Sequence, residues 1–372
     1  MKKVLFVATV AGHITAFHIP YLKLFKEKGW ETYVAAKNDL STNKKIDYCD
    51  HFYEISIERS PFKLKNLKAM KELKEIIDKE HFDIIHCHTP MGSVVARLAA
   101  RKARKKGTRV IYTAHGFHFY KGAPLINWLL FYPVEKWLSK YTDTLITINK
   151  EDYNLAKKKF NNRCYDIEYV PGVGIDTKKF DFKMTKKEKH ELRKSLGLED
   201  DDFVLIFPAR LNKDKNQILL INFMEKNQNK KIKLLLPGPD EMNGFYDRII
   251  NNKKIKNVLL LGYRNDIPQL LKISDLLVAT SLREGFGINL VEAIFNEIPV
   301  IAVENRGHKE IIEDGKNGFI VNNSLKDLED KFYLLYNNRD LYDNIKSYCK
   351  ESSKKFLLDN SLKLISGIYF DK

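Results

Sequence analysis

Cysteine is scarce in this 372-residue chain, with four in all, and none pairs with another as C-x-x-C or joins histidines at metal-ligand spacing. Cys49, Cys87, Cys164 and Cys349 therefore read as reduced thiols of a cytosolic protein rather than as a disulfide frame or a zinc site. No uninterrupted apolar run approaches the roughly 18 residues needed to span a bilayer. Lys2 and Lys3 before a short apolar run imitate a signal peptide, but the run passes into Gly12-His13 without a cleavage site, so a first buried strand fits better. Internal repeats and low-complexity tracts are missing, and no Asp-x-Asp metal motif stands out. With 44 % apolar and 30 % charged residues, the chain is neither disordered nor a multi-span membrane protein, and its length suits two domains with separate cores.

Positive charge is what the chain has in excess, at +16. Residues 1–180 carry 32 basic against 19 acidic side chains, whereas residues 181–372 carry 32 against 29. The surplus belongs to the first half, where Arg101, Lys102, Arg104, Lys105 and Lys106 cluster within residues 97–109. Such a surface attracts nucleic acid, anionic lipid or phosphorylated substrates. The basic residues lack the interleaved aromatics of a nucleic-acid stacking platform, which disfavours the first of these.

Short β-rich runs at 4–10, 32–36, 52–57, 83–87, 109–113 and 144–148 alternate with helix-period segments at 16–28, 64–79 and 91–105. This is the pattern of βαβ units and a parallel sheet. A Gly/Pro-rich and then Lys-rich stretch at 171–202 interrupts the rhythm, after which a second series begins at 203–207, 232–236, 258–261, 276–279, 300–303 and 319–321. An α/β architecture follows, of two doubly wound, Rossmann-like domains whose parallel sheets face a cleft. The expected division is 1–176, a linker and short helix at 177–201, 202–345, and a helical tail at 346–372 able to pack back on the first domain.

Two segments carry the chemistry. In Ser281-Leu282-Arg283-Glu284-Gly285-Phe286-Gly287-Ile288, a strand end leads through a glycine-flanked turn into a helix whose free amides suit a phosphate. Glu284 and Glu292, eight positions apart, would stand roughly 12 Å apart on a continuous helix. That is too far for a retaining glycosidase pair, but it suits two separate diols. In Phe207-Pro208-Ala209-Arg210-Leu211-Asn212-Lys213-Asp214-Lys215, an Arg fork and a Lys point charge bracket a strand-to-helix turn and suit a diphosphate.

These segments, with Arg306-Gly307-His308-Lys309-Glu310 and Asp314-Gly315-Lys316-Asn317-Gly318, resemble the family 4 retaining glycosyltransferases of GT-B fold. Ala11-Gly12-His13, His86-Cys87-His88-Thr89-Pro90 and Tyr112-Thr113-Ala114-His115-Gly116-Phe117 extend the resemblance to the first half, the last string being similar to bacterial exopolysaccharide and capsule members. The resemblance implies that Arg210 and Lys215 stabilise a diphosphate leaving group, helped by the amides of Gly285, Phe286, Gly287 and Ile288. It further implies that Glu284 meets the donor sugar, Glu292 the ribose, and the backbone at Tyr263 and Arg264 the nucleobase. Gly12 would approach the β-phosphate, and His115 would lie near the transferred sugar with His13 and His118 lining the cleft. One glycine, after Ala11, stands where the family often has two.

The expected activity is transfer from a UDP-sugar, a co-substrate, to a lipid-linked oligosaccharide, with no cofactor and no metal. Arg306-Gly307-His308 resembles acetamido-sugar users, which points to a UDP-N-acetylhexosamine. A UDP-N-acetylglucosamine epimerase of the same fold is the nearest alternative, and a nucleic-acid binder the remote one. Residues 122–138, apolar and rich in Trp and Tyr, form either a membrane-docking helix or a buried one broken at Pro133. With the basic run they suggest peripheral contact with anionic membrane on its cytoplasmic face.

Overall fold

Val, Ile, Leu and Phe dominate the short apolar runs, and their branched or bulky side chains suit a pleated surface buried on both faces. A computed structural model describes residues 1–40, 45–161, 164, 166–227 and 229–371. Its contacts separate two units, Met1–Val173 with Ser361–Lys372, and Gly174–Asn360.

The first unit holds seven strands: β1 (Lys3–Val10), β2 (Glu31–Lys37), β3 (His51–Glu54), β4 (Ile84–Cys87), β5 (Arg109–Ala114), β6 (Thr144–Thr147) and β7 (Asp166–Tyr169). All pair in parallel, in the order β3-β2-β1-β4-β5-β6-β7. Val4 lies opposite Thr32 on one side and Ile84 on the other, so the direction of strand addition reverses between β1 and β4. Ligands of doubly wound sheets bind at the carboxyl ends of strands at such a reversal. The second unit repeats the plan with β8 (Phe203–Ile206), β9 (Ile232–Pro237), β10 (Val258–Gly262), β11 (Leu276–Ala279), β12 (Val300–Val303) and β13 (Gly318–Val321) in the order β10-β9-β8-β11-β12-β13. Here the reversal falls between β8 and β11.

Twelve strands coincide with the expected runs; β7 is additional. Its Asp-Ile-Glu-Tyr sequence is short and half polar, as an edge position allows, and carries little apolar signal. The helix expected over 16–28 is two, Ala11–Phe17 and Ile19–Glu27. Pro20 has no N–H to continue the first helix but fits the opening turn of the second. The helix Leu358–Phe370 begins in the second unit and ends in the first, where Tyr369 donates or accepts a 2.6 Å bond with His86 Nδ1 and packs on Phe25.

The basic run is less of a surface than its composition implies. Arg97 is 1 % exposed, forks onto both carboxylate oxygens of Glu135 at 2.9 and 3.0 Å, and lies over the Tyr112 ring. Arg104 pairs with Asp143, and Arg109 bonds Thr144, which leaves Arg101, Lys102, Lys105 and Lys106 exposed. The helix Leu125–Leu138 continues through Pro133. Trp128, Phe131 and Tyr132 pack on the core, while Leu125, Ile126, Leu129, Leu130, Val134 and Trp137 are exposed.

Candidate active site

In the second unit, the segment after β8 stays extended: Ala209 and Leu211 donate backbone N–H bonds to Pro237 and Pro239, alongside the end of β9. The close approach needs Gly238, where a Cβ would stand 1.8 Å from the Ala209 carbonyl oxygen. Arg210 is thereby aimed at Glu241, donating Nη1–H to Oε1 at 2.8 Å, while Asn212 donates to Oε2 at 2.8 Å. Asn212 also accepts the Lys215 backbone N–H. Lys215 forms an ion pair with Glu284. Two further bonds, Thr280 Oγ1–H to the Lys215 carbonyl and Leu282 N–H to the Asp214 carbonyl, join the loops after β8 and β11.

The second of these loops is held from beneath. Phe286 is buried against Phe356, with ring centroids 5.5 Å apart, so its side chain anchors the turn. Gly287, at φ 98°, turns the chain into the helix Ile288–Phe295. Gly307 is wedged below: a Cβ there would lie 2.7 Å from the Phe286 carbonyl oxygen and 2.8 Å from Glu284 Cβ. His308 is fully buried and donates Nδ1–H to the Val303 carbonyl at 2.6 Å, which directs its Nε2 lone pair inward without a protein partner. Burial lowers its pKa to about 4, so it is neutral. Glu292, half-buried, is pushed up to about 7 by burial, against the opposing charge of Lys179. Tyr263 is exposed, and Arg264 is committed to Asp266 through Nε–H to Oδ1 at 2.7 Å, so backbone is what this turn offers.

The first unit presents different chemistry. Gly12 donates its N–H to Asp39 Oδ1 at 2.7 Å, placing a carboxylate at the amide expected to face a β-phosphate. That carboxylate suits the start of the helix Ala11–Phe17. His115, following β5, lies 3.3 Å from His13 (Nε2 to Nε2) and 3.4 Å from His88 Nδ1, and His18 stacks on His88 with centroids 3.7 Å apart. His118, expected to line the cleft, packs on Phe131 of the Leu125–Leu138 helix.

Two family models match the chain, glycosyl transferase 4-like over residues 3–149 and glycosyl transferases group 1 over residues 188–352. EpsD of Bacillus subtilis, itself assigned as a glycosyltransferase only provisionally, is 47 % identical over 86 % of this chain and 83 % of its own. The chain belongs to the family 4 glycosyltransferases of GT-B fold. A second relative is the Escherichia coli UDP-Gal:alpha-D-GlcNAc-diphosphoundecaprenol alpha-1,3-galactosyltransferase, 30 % identical over 74 % of this chain and 72 % of that protein. HepE of Anabaena, crystallised with UDP and glucose, superposes over 100 % of both chains with a TM-score of 0.80 at 21 % identity, a likeness of fold.

In this glycosyltransferase the structure joins Lys215 to Glu284 and brings Arg210 into the same network through Glu241 and Asn212. His115, His13 and Gly12 stand together in the other unit. Sequence reading missed Glu241, which nothing marks but its place after a strand, and missed the gathering of His18 and His88 around His115. It also passed over Asp200-Asp201-Asp202, a literal Asp-x-Asp string. These side chains have local work: Asp200 binds His190, Asp201 pairs with Lys231, and Asp202 accepts the Glu199 N–H. Relatives that are transferases do not favour the epimerase alternative.

Proposed function

We propose that this glycosyltransferase moves an N-acetylhexosamine from a UDP-sugar to a lipid-linked oligosaccharide in surface polysaccharide assembly, with retention and with no metal at the diphosphate. The observation that carries the reading is the pair of joined loops at the β8/β11 reversal, presenting Arg210, Lys215 and Glu284 beside the start of the helix Ile288–Phe295. As the anomeric C–O bond breaks, negative charge grows on the diphosphate, and prearranged cations and amides stabilise it. The Arg210–Glu241 pair is open to solvent and so worth at most about 1 kcal/mol. A diphosphate can therefore take Glu241's place at low cost. Lys215 turning to phosphate frees Glu284 for sugar hydroxyls, Glu292 accepts from the ribose, and backbone at Tyr263 and Arg264 meets the base. His115, with His13 and Gly12, serves the transferred sugar.

The named substrates of the Escherichia coli relative, a UDP-sugar and a diphosphoundecaprenol-linked one, support this class of donor and acceptor. UDP in the HepE crystal agrees with the nucleotide. The capsular polysaccharide glycosyltransferase CapM among the relatives supports the polysaccharide context. The acceptor's lipid fits the exposed apolar face of Leu125, Leu129 and Trp137, flanked by Lys136 and Lys140, which would dock on the cytoplasmic leaflet of anionic membrane.

The test is a panel of nucleotide sugars offered with an undecaprenyl-diphosphate-linked saccharide, read by product mass and linkage. One added N-acetylhexosamine from UDP with the donor's anomeric configuration is expected. Preference for GDP-sugars, an inverted linkage, or isomerisation of the donor without acceptor would each overturn the corresponding part.

A further inference from the structure

Four of the chain's ten histidines meet at the carboxyl ends of adjacent strands. His13 follows β1 in the helix Ala11–Phe17, His18 lies between that helix and the next, His88 follows β4, and His115 follows β5. One ring nitrogen of each lies within 4.8 Å of those of the other three. The chain of closest approaches runs His18 Nε2 to His13 Nε2 at 3.3 Å, His13 Nε2 to His115 Nε2 at 3.3 Å, and His115 Nε2 to His88 Nδ1 at 3.4 Å.

Hydrogen bonding accounts poorly for this arrangement. A neutral imidazole nitrogen carries either one N–H or one in-plane lone pair. The two central atoms, His13 Nε2 and His115 Nε2, therefore cannot each serve two neighbours with well-directed bonds. The separations also exceed the roughly 2.7–3.2 Å of ordinary hydrogen bonds. These three separations equal those of nitrogens about 2.0–2.1 Å from a tetrahedral zinc ion, about 3.3–3.4 Å apart, and the other three lie within 4.8 Å.

The surroundings bear on the same point. His18 and His88 are fully buried, and His18 Nδ1 and His88 Nε2 find no partner. These are the ring nitrogens opposite the ones that face the cluster, so they carry the N–H when His18 Nε2 and His88 Nδ1 hold their lone pairs inward. Burial keeps all four rings neutral near neutral pH, with lone pairs available for ligation. Thr89, next to His88, is held at φ 60°, a strained conformation for a β-branched residue, where its Oγ1 accepts the Thr9 backbone N–H and shares a bond with the Thr9 hydroxyl. No carboxylate belongs to the cluster among the described residues, which disfavours the oxygen-seeking Mg²⁺ and Ca²⁺.

We propose that His13, His18 and His115 through Nε2, with His88 through Nδ1, bind a divalent transition-metal ion of the zinc class. Such an ion occupies the His115 lone pair, so it and any role of His115 at the transferred sugar exclude each other. That consequence rests on the proposed transfer reaction; the site itself does not.

Cobalt titration of the full chain, followed by visible absorption, tests the site without reference to transfer. Expected are about one Co²⁺ per chain with the strong absorption of a tetrahedral ion, displacement by Zn²⁺, and at least about 100-fold weaker binding in His18→Ala and His88→Ala. Fluorescence of Trp30, Trp128 and Trp137, all in the first unit, shows whether each variant is folded. If His18→Ala fails to fold, His88→Gln carries the same test. A weak octahedral spectrum, no absorption change at saturating Co²⁺, or affinity unchanged in the folded variants overturns the proposal.

Discussion

The two units share one strand plan but place opposite chemistry at the point where strand order reverses. In the second, each cation has a carboxylate partner, Arg210 with Glu241 and Lys215 with Glu284, so charge is stored in pairs that an anionic ligand can exchange. In the first, five histidines, His18, His86 and His88 buried and His13 and His115 half-buried, are held neutral by desolvation, and Gly12's amide is covered by Asp39. A common fold therefore does not dictate a common site. What differs is the residue type at the strand ends, and this makes one unit a store of exchangeable charge and the other a store of neutral nitrogen lone pairs.

The largest expected effect tests stability within the first unit. Removing either partner of the buried Arg97–Glu135 pair leaves an uncompensated charge, and Glu135→Ala should cost about 3–5 kcal/mol. Denaturant unfolding followed by tryptophan fluorescence reads this unit alone, because all three tryptophans lie in it. A loss under 1 kcal/mol would show that the pair contributes little.

Next is chemistry in the second unit. Lys215→Ala and Arg210→Ala should each lower turnover by about 100-fold or more, the scale for losing one stabiliser of developing negative charge. Near-normal turnover in both would refute the diphosphate assignment.

Acid sharpens the contrast. The desolvated histidines have folded pKa values below the ordinary 6.5, His13 at about 4 and His86 at about 3. Below pH 6.5 the unfolded chain binds protons that the folded one refuses. Stability is therefore retained above about pH 6.5 and lost as pH falls toward 4, by up to about 1.4 kcal/mol per pH unit for each such group. Because His308 is the one histidine of the second unit held this low by burial among the described residues, tryptophan fluorescence should report acid unfolding ahead of loss of UDP binding. The reverse order would contradict the assignment of acid sensitivity to the histidine cluster.

The smallest effect concerns Glu292, whose pKa is pushed up to about 7. Its carboxylate forms as pH rises from 6 to 8, so UDP affinity should rise a few-fold over that interval and flatten in Glu292→Gln. An equal slope in both proteins would remove Glu292 from the ribose.

Much of this molecule could be read locally. Twelve strands announced themselves as short runs of bulky apolar residues, and β7 escaped because its four residues, Asp-Ile-Glu-Tyr, are half polar. The loops bearing Arg210, Lys215 and Glu284 were legible because cations cluster within a few residues after one strand, and a carboxylate and two glycines after another. Glu241 was not, since its role depends on Gly238 letting β9's end approach Ala209. Arg97, counted in sequence with the surface charge, proved to be buried; only the packing of Leu125–Leu138 decides which way it points.

Local periodicity and short motifs record the alternation of strands and helices, the family, and the residue types at each strand end. Which strand ends are neighbours emerges from the folded packing. His13, His88 and His115 are far apart along the chain, and they meet because β1, β4 and β5 pair in that order. Strand order is set by non-local packing and crossover connections, so no local pattern records it.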